Sequence, residues 1–146
     1  MTLRTLCGLA LLLGVFSSPS EAQAPPPDGP VYIAYFWRAK PGQVDAYNAY
    51  IKGTAEKIDE RARQAGAFEE VVTLTPSQMG TSAAIVDWTH LRIFKLKNRA
   101  AAEALGKSLD EATLRVVPDE AQRKANSERS AGLRDFVRQE IWVALR

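Results

Sequence analysis

The sequence is poor in the residues that do most covalent and metal chemistry, with one cysteine and one histidine. It also has no apolar run of the roughly 20 residues that carry a helix across a bilayer. Its thiol, Cys7, lies inside the amino-terminal apolar stretch Leu6–Phe16, which has the character of a removable leader. A mature domain without that leader has no sulfhydryl group. Disulfides, thiolate nucleophiles and thiolate metal sites are excluded together, although disulfides are the usual reinforcement of small secreted domains. Stability must then come from the core or from a partner subunit. Strong charge of one sign is lacking as well, because 19 basic and 17 acidic residues leave a net +2. Phosphate binding calls for clustered basic charge, so nucleic acid is not an expected partner. No Gly-rich phosphate loop, nucleophile elbow or paired catalytic carboxylate motif occurs. Asp87 and Glu69-Glu70 carry hard oxygens without a spaced metal motif, so neither a metal nor a cofactor is expected.

What is present begins with Met1-Thr2-Leu3-Arg4, then Leu6–Phe16, then the polar run Ser17-Ser18-Pro19-Ser20. This is the three-part pattern of a secretory signal peptide. Ser20-Glu21-Ala22 supplies the small residues that signal peptidase accepts, and cleavage is placed after Ala22. A cut after Ala24 would set the rigid ring of Pro25 against the scissile bond and is the second choice. Residues 1–22 are therefore expected to be a signal peptide, and the product to be exported to the periplasm or the external medium, with no stable membrane insertion after cleavage. Removing Arg4 and Glu21 together leaves the charge unchanged.

Residues 23–30 read Q-A-P-P-P-D-G-P, an extended leader, and 31–146 form one domain. Val31–Trp37 is rich in β-branched and aromatic residues and ends at the turn signal Lys40-Pro41-Gly42, which predicts a strand. Parity puts Val31, Ile33, Tyr35 and Trp37 on one face and Tyr32, Ala34, Phe36 and Arg38 on the other. Both faces are largely apolar and need cover. From Val44 the period changes: Val44, Tyr47, Ile51, Ala55, Ile58, Ala62 and Ala65 form one helical stripe. Asp45, Lys52, Glu56, Asp59, Glu60 and Arg63 fall on the opposite, solvent side, and Gly66 caps the helix.

Phe68–Thr75 reads as a second strand and Ala84–Leu96 as a third, paired antiparallel, with Pro76–Ser82 between them. On the third, parity groups Ala84, Val86, Trp88, His90, Arg92 and Phe94. Asn98 caps a second helix that Pro118 limits, and a polar surface helix starts near Asp119. Phe136–Leu145 is the closing strand. Strand, helix, strand, strand, helix, strand is the ferredoxin-like βαββαβ order, an α+β fold with one antiparallel sheet and helices on one face. The cheapest cover for the other face is the same face of a second copy, so a homodimer is expected.

The chain resembles the dimeric α/β-barrel superfamily of antibiotic-biosynthesis-type monooxygenases, EthD-like and NIPSNAP-like proteins. The resemblance is carried by Phe36-Trp37-Arg38-Ala39-Lys40-Pro41-Gly42, the following helix with Val44, Tyr47 and Tyr50, and Trp88-Thr89-His90-Leu91-Arg92-Ile93-Phe94 ahead of an Ala-rich helix. It covers nearly all of Val31–Leu145 and fixes architecture far better than chemistry. The haem-degrading branch of that superfamily uses a first-strand asparagine and a histidine well separated from its tryptophan. Here the first strand offers tyrosines and alanine, and His90 lies two residues from Trp88, so no haem role is carried over.

His90 is the one side chain whose ordinary pKa suits proton transfer near neutral pH, which makes it the candidate catalytic residue. The bland alternative is a hydrogen-bonded histidine at an interface. Tyr35, Trp37, Trp88, Arg92 and Glu140 are the candidate ligand-binding residues, with Trp88 and Arg92 on the face of His90 and Glu140 approaching from the last strand. Aromatic strands such as those of Trp37, Trp88 and Trp142 line a planar ligand or simply pack. The leading expectation is an exported dimeric domain that binds a small apolar or aromatic molecule. The alternatives are a cofactor-independent monooxygenase-like or isomerase-like enzyme using His90, and a structural or protein-interaction domain.

Overall fold

The computed structural model describes residues 29–76 and 87–144. The expected signal peptide and most of the proline-rich leader lie outside these residues. Strand β1, Val31–Ala39, ends in the turn expected at Lys40-Pro41-Gly42, where Gln43 N–H donates to the Lys40 carbonyl at 2.9 Å. Gly42 has φ +73°, a left-handed conformation that a side chain would strain. The single helix expected after it is three helical segments in series. They are α1 (Val44–Tyr50), a π-helical turn (Ile51–Ala55) and α2 (Glu56–Gln64), closed by Gly66 at φ +81°. Strand β2 is short, Glu70–Leu74, and β3 is His90–Leu96. The second crossover holds two helices, α3 (Arg99–Val116) and α4 (Glu120–Leu133), before β4, Arg134–Val143. Asn98 and Asp119 cap α3 and α4 by accepting from the backbone N–H groups of Ala101 and Gln122.

The four strands form one antiparallel sheet in the order β2-β3-β1-β4. Ile33 pairs with Phe94 and Val31 with Leu96, and Ile33, Phe94 and Leu96 meet Ala62, Leu105 and Ala112 of α2 and α3 in the main core. Phe94 is gripped edge-on by Phe68 and Tyr35, with ring centroids 5.0 and 5.9 Å away. Truncating so enclosed a ring costs about 3–5 kcal/mol. Strand β1 is buried on both sides, as its two-sided apolar pattern implies. Ala34, Phe36 and Leu91 form a separate cluster on the other face, which carries no helix among the described residues.

The third strand starts later than parity predicts. Ala84–Val86 lie outside the described residues, and Asp87–Thr89 precede the strand. Thr89 explains the late start, since its side-chain Oγ1 accepts the Ala39 N–H at 2.7 Å where a backbone carbonyl would continue the ladder. Trp88 therefore escapes the alternation. It packs edge-on against Phe36, centroids 5.6 Å apart, on the face opposite His90.

Candidate functional site

Two departures from regular geometry shape the helix side of the sheet. The first is the π-helical turn, which takes an extra residue into the helix and rotates everything after it. Ile51 and Ala62 keep their expected inward positions, but Asp59, expected in solvent, is turned inward and only 5% exposed. The second is a β-bulge in β4: Phe36 pairs with Arg138 and Trp37 with Phe136, leaving Val137 as the extra residue. Arg138, Glu140 and Trp142 lie on the open face. Without the bulge Arg134 and Phe136 would join them, whereas the bulge sets both on the face of Trp37, under the helices.

Between that face and the helices lies a cleft in two parts. The deeper part, about 280 Å³, is walled by Tyr35, Trp37, Ile58, Asp59, Arg92 and Arg134. The outer part, about 600 Å³, is bounded by Trp37, Tyr50, Thr113, Ser130, Arg134 and Phe136. Trp37, Tyr50, Ile58 and Arg134 line both. Cavities of roughly 300–1,000 Å³ with aromatic walls and a few fixed polar groups are the usual form of small-molecule sites.

The polar groups of the cleft are held from behind. Arg92 forms an ion pair with Asp59 while its Nε donates to Thr73 Oγ1 at 3.2 Å. Burial raises the Asp59 carboxyl above the ordinary aspartate range, and the adjacent Arg92 opposes that shift. Arg134 lies over the Trp37 ring, its Cζ 3.5 Å from the centroid. Its Nη1 donates to Tyr47 Oη at 2.7 Å and its Nε to Ser130 Oγ at 3.1 Å. Burial likewise raises the phenol of Tyr35.

His90 lies on the same face, opposite Trp37 in the ladder, but behind the cleft rather than in its wall. It is fully buried, with the Tyr47 ring edge-on at 4.5 Å between centroids. Nδ1 is 2.8 Å from Thr89 Oγ1 and Nε2 is 2.9 Å from Asn48 Oδ1. A neutral imidazole donating from Nε2 and accepting at Nδ1 satisfies both partners. Burial, and then the charge of Arg134, hold its pKa below the ordinary histidine value.

The expected site residues thus divide between two faces. Tyr35, Trp37 and Arg92 line the cleft together. Trp88 and Glu140, expected beside His90, are on the other side of the sheet. Glu140 accepts from Arg138 Nε at 2.7 Å and from Trp142 Nε1 at 2.9 Å, while Arg138 stacks on Phe36 with Cζ 3.8 Å from the ring centroid. Glu140 pairs with Ala34 in the ladder, and that register carries it away from His90. Asp59, Tyr50, Arg134 and Phe136 belong to the cleft and were not anticipated. Only Tyr50 had a legible signal, one helical turn from Tyr47. Among the described residues no group of three or more His, Cys, Asp or Glu side chains converges as a metal site.

No protein-family model matches the chain, and no curated protein matches it. Among solved structures, an EthD-like protein of Ralstonia eutropha JMP134 superposes with TM-score 0.50 at 14% identity, covering 79% of this chain and 91% of that one. The fold is ferredoxin-like. HapK of Hahella chejuensis aligns with TM-score 0.48 at 11% identity, over 79% of this chain and 92% of its own. A dimeric ferredoxin-like protein of unknown function from Bacteroides fragilis NCTC 9343 aligns with TM-score 0.44 at 8% identity, over 81% and 97%. At these identities the likeness is one of architecture, and the chemistry has to be argued from the cleft itself.

Proposed function

We propose that this chain is a small-molecule-binding domain whose ligand occupies the helix-side cleft. We propose further that it is exported by the Met1–Ala22 segment and that two copies pack through the open faces of their sheets. The carrying observation is the continuous wall of Trp37, Tyr50, Ile58 and Arg134 shared by the deep and outer parts of the cleft. An apolar, aromatic wall interrupted by a few anchored polar groups suits a small planar molecule. The second-copy reading is supported by Val72, Leu74 and Trp142, large apolar residues left exposed on the sheet face that carries no helix among the described residues.

A binding role is favoured over catalysis by His90 because both imidazole nitrogens already have partners inside the protein. A general base has to reach its substrate's proton directly or through one water. The test is fluorescence titration with naphthalene-type probes on the wild type and on Ala55→Phe, which fills the deep part of the cleft. Saturable binding that disappears in Ala55→Phe, with the far-UV circular dichroism unchanged, is the expected result. Equal binding by the folded variant would move the ligand elsewhere.

A further inference from the structure

The geometry points to a ligand that carries a carboxylate on its aromatic or apolar body, received by Arg134 in the helix-side cleft. This rests on the cleft being the binding site. The charged side chains lining its two parts are Asp59, Asp110, Arg92, Arg123 and Arg134. Two carboxylates face three guanidiniums, so the cleft carries one positive charge in excess. Arg92 is spoken for by Asp59. Arg123 sits at the outer rim with Nη1 donating to the carbonyls of Val117 and Pro118, at 2.9 and 2.6 Å.

Arg134 differs from both. It reaches both parts of the cleft, and no carboxylate among the described residues lies within ion-pair distance of it. Its hydrogen-bond partners are neutral hydroxyls, Tyr47 Oη and Ser130 Oγ, and its underside rests on Trp37. These contacts hold the plane of the guanidinium without neutralising it, and Nη2 has no partner among the described residues. A fixed planar cation with an open donor edge is suited to a carboxylate, through charge-assisted hydrogen bonds. The charge is felt nearby: after burial, Arg134 is the second cause of the lowered His90 pKa. Trp37, beneath the cation, and Phe136, edge-on to Trp37 at 5.1 Å between centroids, offer apolar surface for the rest of the ligand.

The experiment compares 2-naphthoate with 2-naphthamide, which share a ring system and differ in charge. Wild-type protein at pH 7 should bind the acid about tenfold to a hundredfold more tightly than the amide, the ratio expected of hydrogen bonds to a charged group. Added salt should narrow that ratio. In Arg134→Gln the acid should fall to the affinity of the amide, whose own binding persists, while Arg134→Lys should recover part of the preference. The wild-type ratio needs no variant and so decides the matter even if Arg134→Gln fails to fold. Equal wild-type binding of acid and amide, both blocked by Ala55→Phe, would overturn the carboxylate inference and leave the cleft reading standing. Binding of neither probe would overturn the cleft reading and this inference with it.

Discussion

The imidazole Nε2 of His90 and the side-chain Oδ1 of Asn48, 2.9 Å apart, tie β3 to α1 inside the fold. With Thr89 on the other nitrogen and Tyr47 against the ring, His90 is built in like a core residue. His90→Ala should leave a cavity and two unpaired polar partners, lowering stability by about 2–4 kcal/mol. Affinity for a cleft ligand, measured on the folded fraction, should change less than twofold. Denaturant unfolding and titration of this variant check both halves. Unchanged stability with abolished turnover or binding would restore the catalytic reading.

The same burial gives a pH dependence with a definite sign. The folded-state pKa of His90 is lowered, so in the window below about 6.5 the unfolded chain binds more protons than the folded one. The contribution of His90 is complete above that value and is lost as the pH falls through the folded-state pKa. Asp59, whose pKa is raised, acts with the opposite sign at more acid pH, favouring the folded state as it takes up its proton. Subtracting the stability profile of His90→Asn from that of the wild type, by urea unfolding between pH 7 and 5, should leave a difference that shrinks on acidification. A flat difference would contradict the burial argument.

Strand β1, its turn, the first helix and the order of elements were legible because two short periods, two and 3.6, are each stated by consecutive apolar residues. What was not legible came from phase. The π-helical turn rotated Asp59 inward, Thr89 ended the β3 alternation ahead of Trp88, and the Val137 bulge carried Arg134 and Phe136 across the sheet. Each is a one-residue displacement that no single side chain announces. Tyr35, Trp37 and Arg92 lie together in the cleft because they stand on regular stretches of β1 and β3, where parity holds. Glu140 was misplaced for a different reason: the face that a β4 residue presents depends on the register of β4 with β1, which sets Glu140 opposite Ala34.

Arg92 and Asp59 form a nearly buried ion pair facing the cleft, with side chains 10% and 7% exposed. Arg92→Met alone strands the carboxylate and should cost about 3–5 kcal/mol near neutral pH. Asp59 can escape by taking a proton, so the deficit should shrink as the pH falls. The double variant Asp59→Asn/Arg92→Met should recover much of the loss. A double variant as unstable as the single one would mean that the pair does not act as a unit.

The open sheet face makes its own prediction. Light scattering at micromolar concentration should give twice the mass of one chain, and Leu74→Glu should shift the protein toward monomer while its helical signal persists. A stable monomeric wild type at that concentration would contradict the second-copy reading.

The three tryptophans make the central claim directly measurable, because Trp37 lines the cleft while Trp88 and Trp142 flank Phe36 on the opposite face. Their indole N–H groups are three separate reporters in a proton–nitrogen correlation spectrum. Titration with 2-naphthoate should shift the Trp37 signal strongly and leave the other two nearly still. Movement of Trp88 and Trp142 with Trp37 unchanged would place the ligand on the open sheet face and contradict the account.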